Sequence, residues 1–248
     1  MTTRIDIAQH ERCEHCAIRH KAVCGALSDD ELAALTRIAR QRMVSTGQTI
    51  LSDEEHAEFF ANVVSGTIKL TKTLADGRQQ IVGLQFPPDF LGRAYGPENS
   101  YFAEAASDVE LCCFPKDAFE RLLRDFPGLE HRLFEHTLSE LDAAREWMLL
   151  LGRKTAEEKV ASFLMMIAHR VPNIGCKHSD ELNFVKFELP LTRADIADYL
   201  GLTIETVSRQ FTRLRSQGVI EIANKREISV PDVDALANCA DQDSSPLI

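Results

Sequence analysis

The chain has 248 residues, 44% hydrophobic and 27% charged, with a formal net charge of −10. That length can bury a sizeable core. No apolar run approaches the roughly 18–20 residues a bilayer span needs, so no membrane partner is expected. The acidic balance excludes a nonspecific nucleic-acid coat protein.

The opening stretch, MTTRIDIAQHERC, has no hydrophobic signal core, which predicts a cytoplasmic protein. In that reducing setting, seven cysteines are expected as metal ligands, redox sensors or buried thiols rather than stable disulfides. Residues 1–26 form a Cys/His-bearing segment, with Cys13-x2-Cys16-x7-Cys24 and the histidines His10, His15 and His20. By spacing alone, zinc with His15 or His20 as fourth ligand and an iron–sulfur group stand equal.

SDDELAALTRIA predicts a short helix capped by Ser28, with Leu32, Leu35 and Ile38 on one face. From about 42 to 115, β-prone runs (TIL, FFANVVSG, TIKLTKTL, QQIVGLQF, DVELCCF) alternate with turn residues, and TLADGRQQIVG carries an Asp-Gly hairpin signal. Several such strands suggest a small antiparallel barrel or roll. KDAFERLLRDF and residues 128–151 read as helices. In the second, Phe134, Leu138, Leu141 and Met148, with Arg145 between the last two, follow a 4-3-4-3 spacing that lets two copies pack side by side. TAEEKVASFLMMIAHRV is a further helix, with Thr155 and Glu158 as a capping box.

LTRADIADYLGLTIETVSRQFTRLRSQG has the pattern of a helix-turn-helix. One helix runs from Thr192 to Leu200 and exits at Gly201, and Thr203 caps a second. Ile196, Ala197, Val207, Phe211 and Leu214 supply the facing apolar stripe. VIEIANKREISV adds a two-stranded wing carrying Lys225 and Arg226. Residues 203–226 hold five basic side chains against two acidic ones, a surplus of +3, while the rest of the chain carries −13. One basic element on an acidic body suits a protein that touches DNA there only.

These residues resemble the CRP/FNR family of bacterial transcription regulators, and the Glu-x-x-Ser-Arg arrangement in ETVSR resembles its FNR-type oxygen-sensing branch. The resemblance extends over nearly the whole chain, including WMLLLGRKTAEEKVASFL. It implies an α+β fold: an N-terminal antiparallel β-roll like a cyclic-nucleotide-binding domain, a long dimerisation helix and a C-terminal winged helix-turn-helix. The expected organisation is a cysteine-rich cluster-binding segment (1–26), a sensory roll (27–125), a dimerisation helix (126–153), a DNA-binding domain (154–236) and a flexible tail (237–248).

In the family the second helix enters the major groove. Arg209 can donate two hydrogen bonds to a guanine, Glu205 can accept from the paired cytosine, and Ser208 can reach a neighbouring base or its backbone. Glu205 and Arg209, four apart, sit on one helical face and can also pair with each other before DNA arrives. Thr203, Arg213, Lys225 and Arg226 complete the predicted DNA-facing set. The implied target is a palindrome of TTGAT-like half-sites in double-stranded DNA.

Cyclic-nucleotide binders of the family carry a Glu just after a Phe-x-Gly segment and an Arg-Ser or Arg-Thr pair further on. Here PDFLGRAYGPENSYFAEAAS puts Arg93 where the acid belongs and has no such pair, which argues against cyclic nucleotide as a ligand. The FNR branch instead implies a 4Fe-4S cluster held by three N-terminal cysteines and one on a late strand. Strand alternation in DVELCCFP puts Val109, Leu111 and Cys113 on the core face and Glu110 and Cys112 opposite. The family's cysteine lies three residues before a proline, here Pro115, which also selects Cys112. The implied ligand set is Cys13, Cys16, Cys24 and Cys112, with no ligand role for Cys176 or Cys239.

The implied function is a global regulator that works through RNA polymerase as an active homodimer at low oxygen and is inactive once dioxygen has acted on the cluster. A zinc site or a direct thiol-redox sensor is the alternative. An iron–sulfur enzyme would leave the recognition helix without a purpose, and the chain has no Rossmann, P-loop or nucleophile–base motif.

Overall fold

The structure, a computed structural model, describes residues 13, 15–53, 55–56, 58–96, 98–171, 183–224 and 226–240. Lys225, Cys176, His10 and residues 241–248 of the expected tail lie outside this set. The chain divides into two compact units, Met1–Lys72 with Val82–Leu141 and Thr73–Ile81 with Asp142–Ile248. The architecture is α+β: an antiparallel β-roll, a long helix and a C-terminal winged helix-turn-helix.

The first unit begins with a 3-10 turn, Val23–Ala26, and helix α1, Asp29–Ile38. Glu31 accepts from both Ser28 N and Ser28 Oγ at 2.8 Å, closing the capping box that starts α1. Eight strands follow: β1 (Arg40–Val44), β2 (Thr49–Leu51), β3 (Phe59–Ser65), β4 (Ile68–Thr73), β5 (Gln79–Gln85), β6 (Phe90–Leu91), β7 (Phe102–Ala105) and β8 (Val109–Pro115). They form two four-stranded sheets, ordered β1-β8-β3-β6 and β2-β7-β4-β5. The Asp-Gly turn joins β4 to β5, with Gly77 at φ +86. Gly66 is required between β3 and β4, because at φ +85 an added Cβ would collide with the Asp108 carbonyl oxygen.

Two apolar clusters sit on opposite faces of the first sheet. Ala61, Val63, Leu111 and Cys113 point into the roll, against Ile50, Ile68 and Ala103. Phe60, Phe90 and Phe114 point outward, against Val23, Leu32 and Leu35 and against Phe119 and Leu123 of helix α2 (Lys116–Asp125). Phe119 lies 5.2–5.5 Å, centroid to centroid, from Phe60, Phe90 and Phe114. The second cluster extends to Leu129 of helix α3, Pro127–Arg153, which is 27 residues long.

The second unit holds the later part of α3, then α4 (Ala156–Arg170), β9 (Val185–Glu188), α5 (Arg193–Leu200), α6 (Ile204–Ser216), β10 (Glu221–Ala223), β11 (Glu227–Val230) and α7 (Val233–Cys239). Strands β10, β11 and β9 form the wing sheet. Gly201 adopts φ +61, ψ +42, the left-handed exit that a side chain would strain. Thr155, Thr192 and Thr203 each accept from a backbone N–H of the helix they cap. Trp147 of α3 stacks on Tyr199 of α5 with centroids 4.0 Å apart.

One expectation needs correction here. The tail is not loose from 237: α7, capped by Asp232, continues to Cys239, and Ala240 is fully buried with its carbonyl accepting from Lys154 Nζ. Residues 18–27 are anchored on the roll. Ile18, Ala22, Val23 and Leu27 are all buried, because the second cluster offers them an apolar surface.

Candidate functional site

A chain of turns curls the N-terminal segment over the outer face of the first sheet. Cys16 N donates to Cys13 O, Arg19 N to Cys16 O, Ala22 N to Ile18 O and Leu27 N to Cys24 O. Buried Ala22 and Val23 fix the last of these turns. Beneath it lies β8, where Cys112 pairs in register with Gln41 on one side and Asn62 on the other.

Cys13, Cys16, Cys24 and Cys112 all line one cavity of about 30 Å³. Leu32, Leu35 and Ala39 of α1 and its C-cap, with Phe114, make its apolar wall. His15 and His20 are exposed, and neither lines the cavity. Cys113 faces the other way, into the roll core, and burial pushes its thiol up to about 11. Cys239 lies in the second unit, beside Glu157 and Arg213.

Burial pushes the Cys24 thiol up to about 12, and the charges Cys16 and Cys13 would carry push in the same direction. Cys112 is raised further, by burial first and then by Cys13, Cys24 and Cys16. The buried Cys24 and Cys112 thiols are held protonated in the metal-free protein, and a cation there would displace those protons. Among the described residues, no three Cys, His, Asp or Glu side chains stand close enough to grip one metal ion.

One lining residue was missed in the sequence. Asn62 is 1% exposed, and its Oδ1 has no hydrogen-bond partner. The available signal was a lone amide inside the apolar run FFANVVS.

On α6, Val207, Gln210, Phe211 and Leu214 are buried, while Thr203, Glu205, Ser208 and Arg209 are exposed near its N-terminus. The expected Glu205–Arg209 pair does not form among the described residues. The helix N-terminus competes for the carboxylate: the backbone N–H of Glu205 and the neighbouring Thr203 side chain lower its pKa and favour the ionised form. Arg213 is held by Glu157 of α4 at 3.0 Å. Arg226 is exposed in the wing turn. Arg193 stacks on the Phe211 ring at 3.4 Å, which locks α5 to α6.

The predicted pairing seam is open to solvent. Phe134, Leu138, Leu141 and Met148 are 59%, 44%, 44% and 70% exposed, and Leu149, which the spacing did not select, is 56% exposed. A stripe of five large apolar side chains along one helix is more than scattered surface hydrophobics.

Known proteins share both units. Residues 41–126 match the cyclic nucleotide-binding domain and residues 158–239 the Crp-like helix-turn-helix domain. The transcriptional activator protein FnrL of Cereibacter sphaeroides is 47% identical over 233 residues, covering 94% of this chain and 93% of that protein. The nitrogen fixation regulation protein FixK of Bradyrhizobium diazoefficiens is 43% identical over 210 residues, covering 85% and 86%. The structure of FixK2 from Bradyrhizobium japonicum superposes with a TM-score of 0.75 at 33% identity, covering 84% of this chain and all of that one. The chain belongs to the CRP/FNR family of transcription regulators, in its FNR-type branch, and is a transcriptional activator of the FNR/FixK type with a helix-turn-helix DNA-binding domain.

Proposed function

We propose that this activator responds to oxygen through an iron–sulfur group held by Cys13, Cys16, Cys24 and Cys112, and that with the group in place it binds a palindromic TTGAT-like site as a homodimer and engages RNA polymerase. The observation that carries the reading is the single cavity lined by those four cysteines, three from the N-terminal segment and one from β8. The donor set fits: four soft sulfurs in an apolar pocket suit iron–sulfur chemistry. A lone zinc needs all its sulfurs about 2.3 Å from one centre, whereas a four-iron cluster takes each thiolate at a separate iron.

When bound, a 4Fe-4S cluster supplies iron–thiolate bonds that are labile to oxidation. The chain does the rest. The cysteine segment already rests on the outer cluster through Val23 and Leu27, and that cluster includes Leu129, with Leu133 packed against it on α3. Arg132 of α3 also donates to the Lys21 carbonyl. Ordering the segment therefore orders the head of the helix whose exposed stripe pairs with a second copy. Pairing sets two α6 helices for two half-sites, and the joint affinity far exceeds that of one. At each half-site Glu205 serves as acceptor and Arg209 as bidentate donor. Arg213 must exchange Glu157 for a phosphate to contribute.

The test is to purify the protein without air and to quantify iron, sulfide and zinc. The reading expects a brown protein with four irons and four sulfides per chain, bleaching in air. A colourless protein with stoichiometric zinc would overturn it in favour of a zinc–thiol sensor.

A further inference from the structure

We propose that Glu157 acts as an internal stand-in for a DNA phosphate: it holds Arg213 in the free protein, gives it up when DNA docks, and so lowers the affinity for DNA. The inference rests on the reading of α6 as the helix that enters the groove, and it concerns a residue outside that helix. Glu157 lies in the first turn of α4, where the Thr155–Glu158 capping box fixes the backbone. Its Oε2 stands 3.0 Å from a terminal nitrogen of Arg213 on α6. Helix α6 carries three arginines, Arg209, Arg213 and Arg215, and among the described residues only Arg213 is held by a carboxylate.

Arg209 and Arg213 are one turn apart on α6, so they share a face and are separated by about 6 Å along the axis. With Arg209 at a base edge, a guanidinium one turn further on is within reach of the phosphates that border the groove. A carboxylate and a phosphate offer the guanidinium the same pair of charged oxygens, so one can replace the other. The pair is lopsided: the Arg213 side chain is 57% exposed and that of Glu157 only 22%. Incoming DNA therefore meets the arginine, and the acid is left behind, partly buried and without its cation. Exchange then costs more than it does for a surface pair, whose two partners both return to water. A phosphate contact carries no sequence information, so the cost falls on matched and unmatched DNA alike. Glu157 sets how tightly DNA is held, not which sequence is held.

The experiment measures DNA binding by the full chain, prepared without air, and by Glu157→Gln, Arg213→Ala and the double variant. The probes are a duplex with TTGAT-like half-sites and an unmatched duplex of equal length, each titrated over a series of salt concentrations. Arg213→Ala should flatten the plot of log affinity against log salt by about 0.9 per subunit, the loss of one phosphate contact. Glu157→Gln should keep the parent's slope and bind about 2- to 30-fold tighter, the release of one ion pair in each of two subunits. In the Arg213→Ala background the same substitution should leave affinity nearly unchanged. Equal slopes for the parent and Arg213→Ala would mean that Arg213 stays on Glu157 in the complex. A Glu157→Gln gain that is absent, or that persists without Arg213, would mean that the acid does not compete for it. Any of these results overturns the inference. Should Glu157→Gln fail to fold, the slopes of the parent and Arg213→Ala decide alone. A parent that does not prefer the TTGAT-like duplex defeats the reading of the target site, and the same comparison on the unmatched duplex still tests Glu157.

Discussion

Replacing Phe134 by Ala should weaken pairing of the chain through α3. Phe134 is 59% exposed in the isolated chain. Full burial of a Phe side chain is worth about 2.5 kcal/mol, so covering the remaining exposed part yields about 1.5 kcal/mol per copy. Two-fold symmetry doubles this to about 3 kcal/mol, or roughly a 100-fold rise in the dimer dissociation constant at about 1.4 kcal/mol per tenfold. The residual Cβ makes this an upper figure. Sedimentation equilibrium of iron-loaded, anaerobic protein reads the constant directly, and circular dichroism checks that the monomer stays folded, since the side chain supports little within one chain. A dissociation constant within about threefold of the parent would refute pairing through this stripe.

Cys112→Ser should lose the iron of anaerobically prepared protein, while Cys113→Ser should keep most of it, because the two side chains lie on opposite faces of β8; equal iron content in the two variants would refute the assignment. Arg209→Ala should cost about 1–3 kcal/mol of specific DNA binding, checked by comparing a matched site with one altered at the contacted guanine, and unchanged discrimination would count against the contact. The Cys24 thiol stands at about 12 in the folded metal-free protein against an ordinary 9.0. Between those values the folded state holds a proton that the unfolded state has released, so stability should fall as pH rises from 9.0 toward 12. Denaturant melts of metal-free parent and Cys24→Ser should show a steeper fall in the parent, and parallel curves would contradict the shift.

The helix-turn-helix was legible because its signals are local. Thr192, Gly201 and Thr203 each act within a few residues of themselves, and the structure holds all three in those roles. The strands with β-branched or aromatic runs, β3, β4, β5 and β8, were legible for the same reason. Strand β1, RQRMV, was not: four of its five side chains are exposed, and only pairing with β8 makes it a strand. Strands β6, β7 and β9 are two to four residues long and owe their form to their neighbours. Helix α7 was hidden in what reads as a polar tail, its signal reduced to the Asp232 cap.

The cysteine site was legible as a set of residues but not as a place. Alternation on β8 distinguished Cys112 from Cys113, and the structure puts them on opposite faces. That the first sheet is buried on both faces could not be read from β3, because the second cluster is assembled from the N-terminal segment, α1, α2 and α3 together. Asn62 escaped notice for that reason. In a one-sided sheet its amide would face water. The Glu205–Arg209 pair failed because a charge at a helix N-terminus has nearer partners than a side chain one turn on.

The central claim is that four sulfurs, gathered from the N-terminal segment and a strand of the roll, control DNA binding. Its most direct measurement is the affinity of anaerobically prepared protein for a palindromic TTGAT-like operator, before and after a chelator has removed the iron, in one buffer at fixed salt. The account predicts tight, iron-dependent binding that falls toward the nonspecific level as the iron leaves. Equal affinity with and without iron would contradict it.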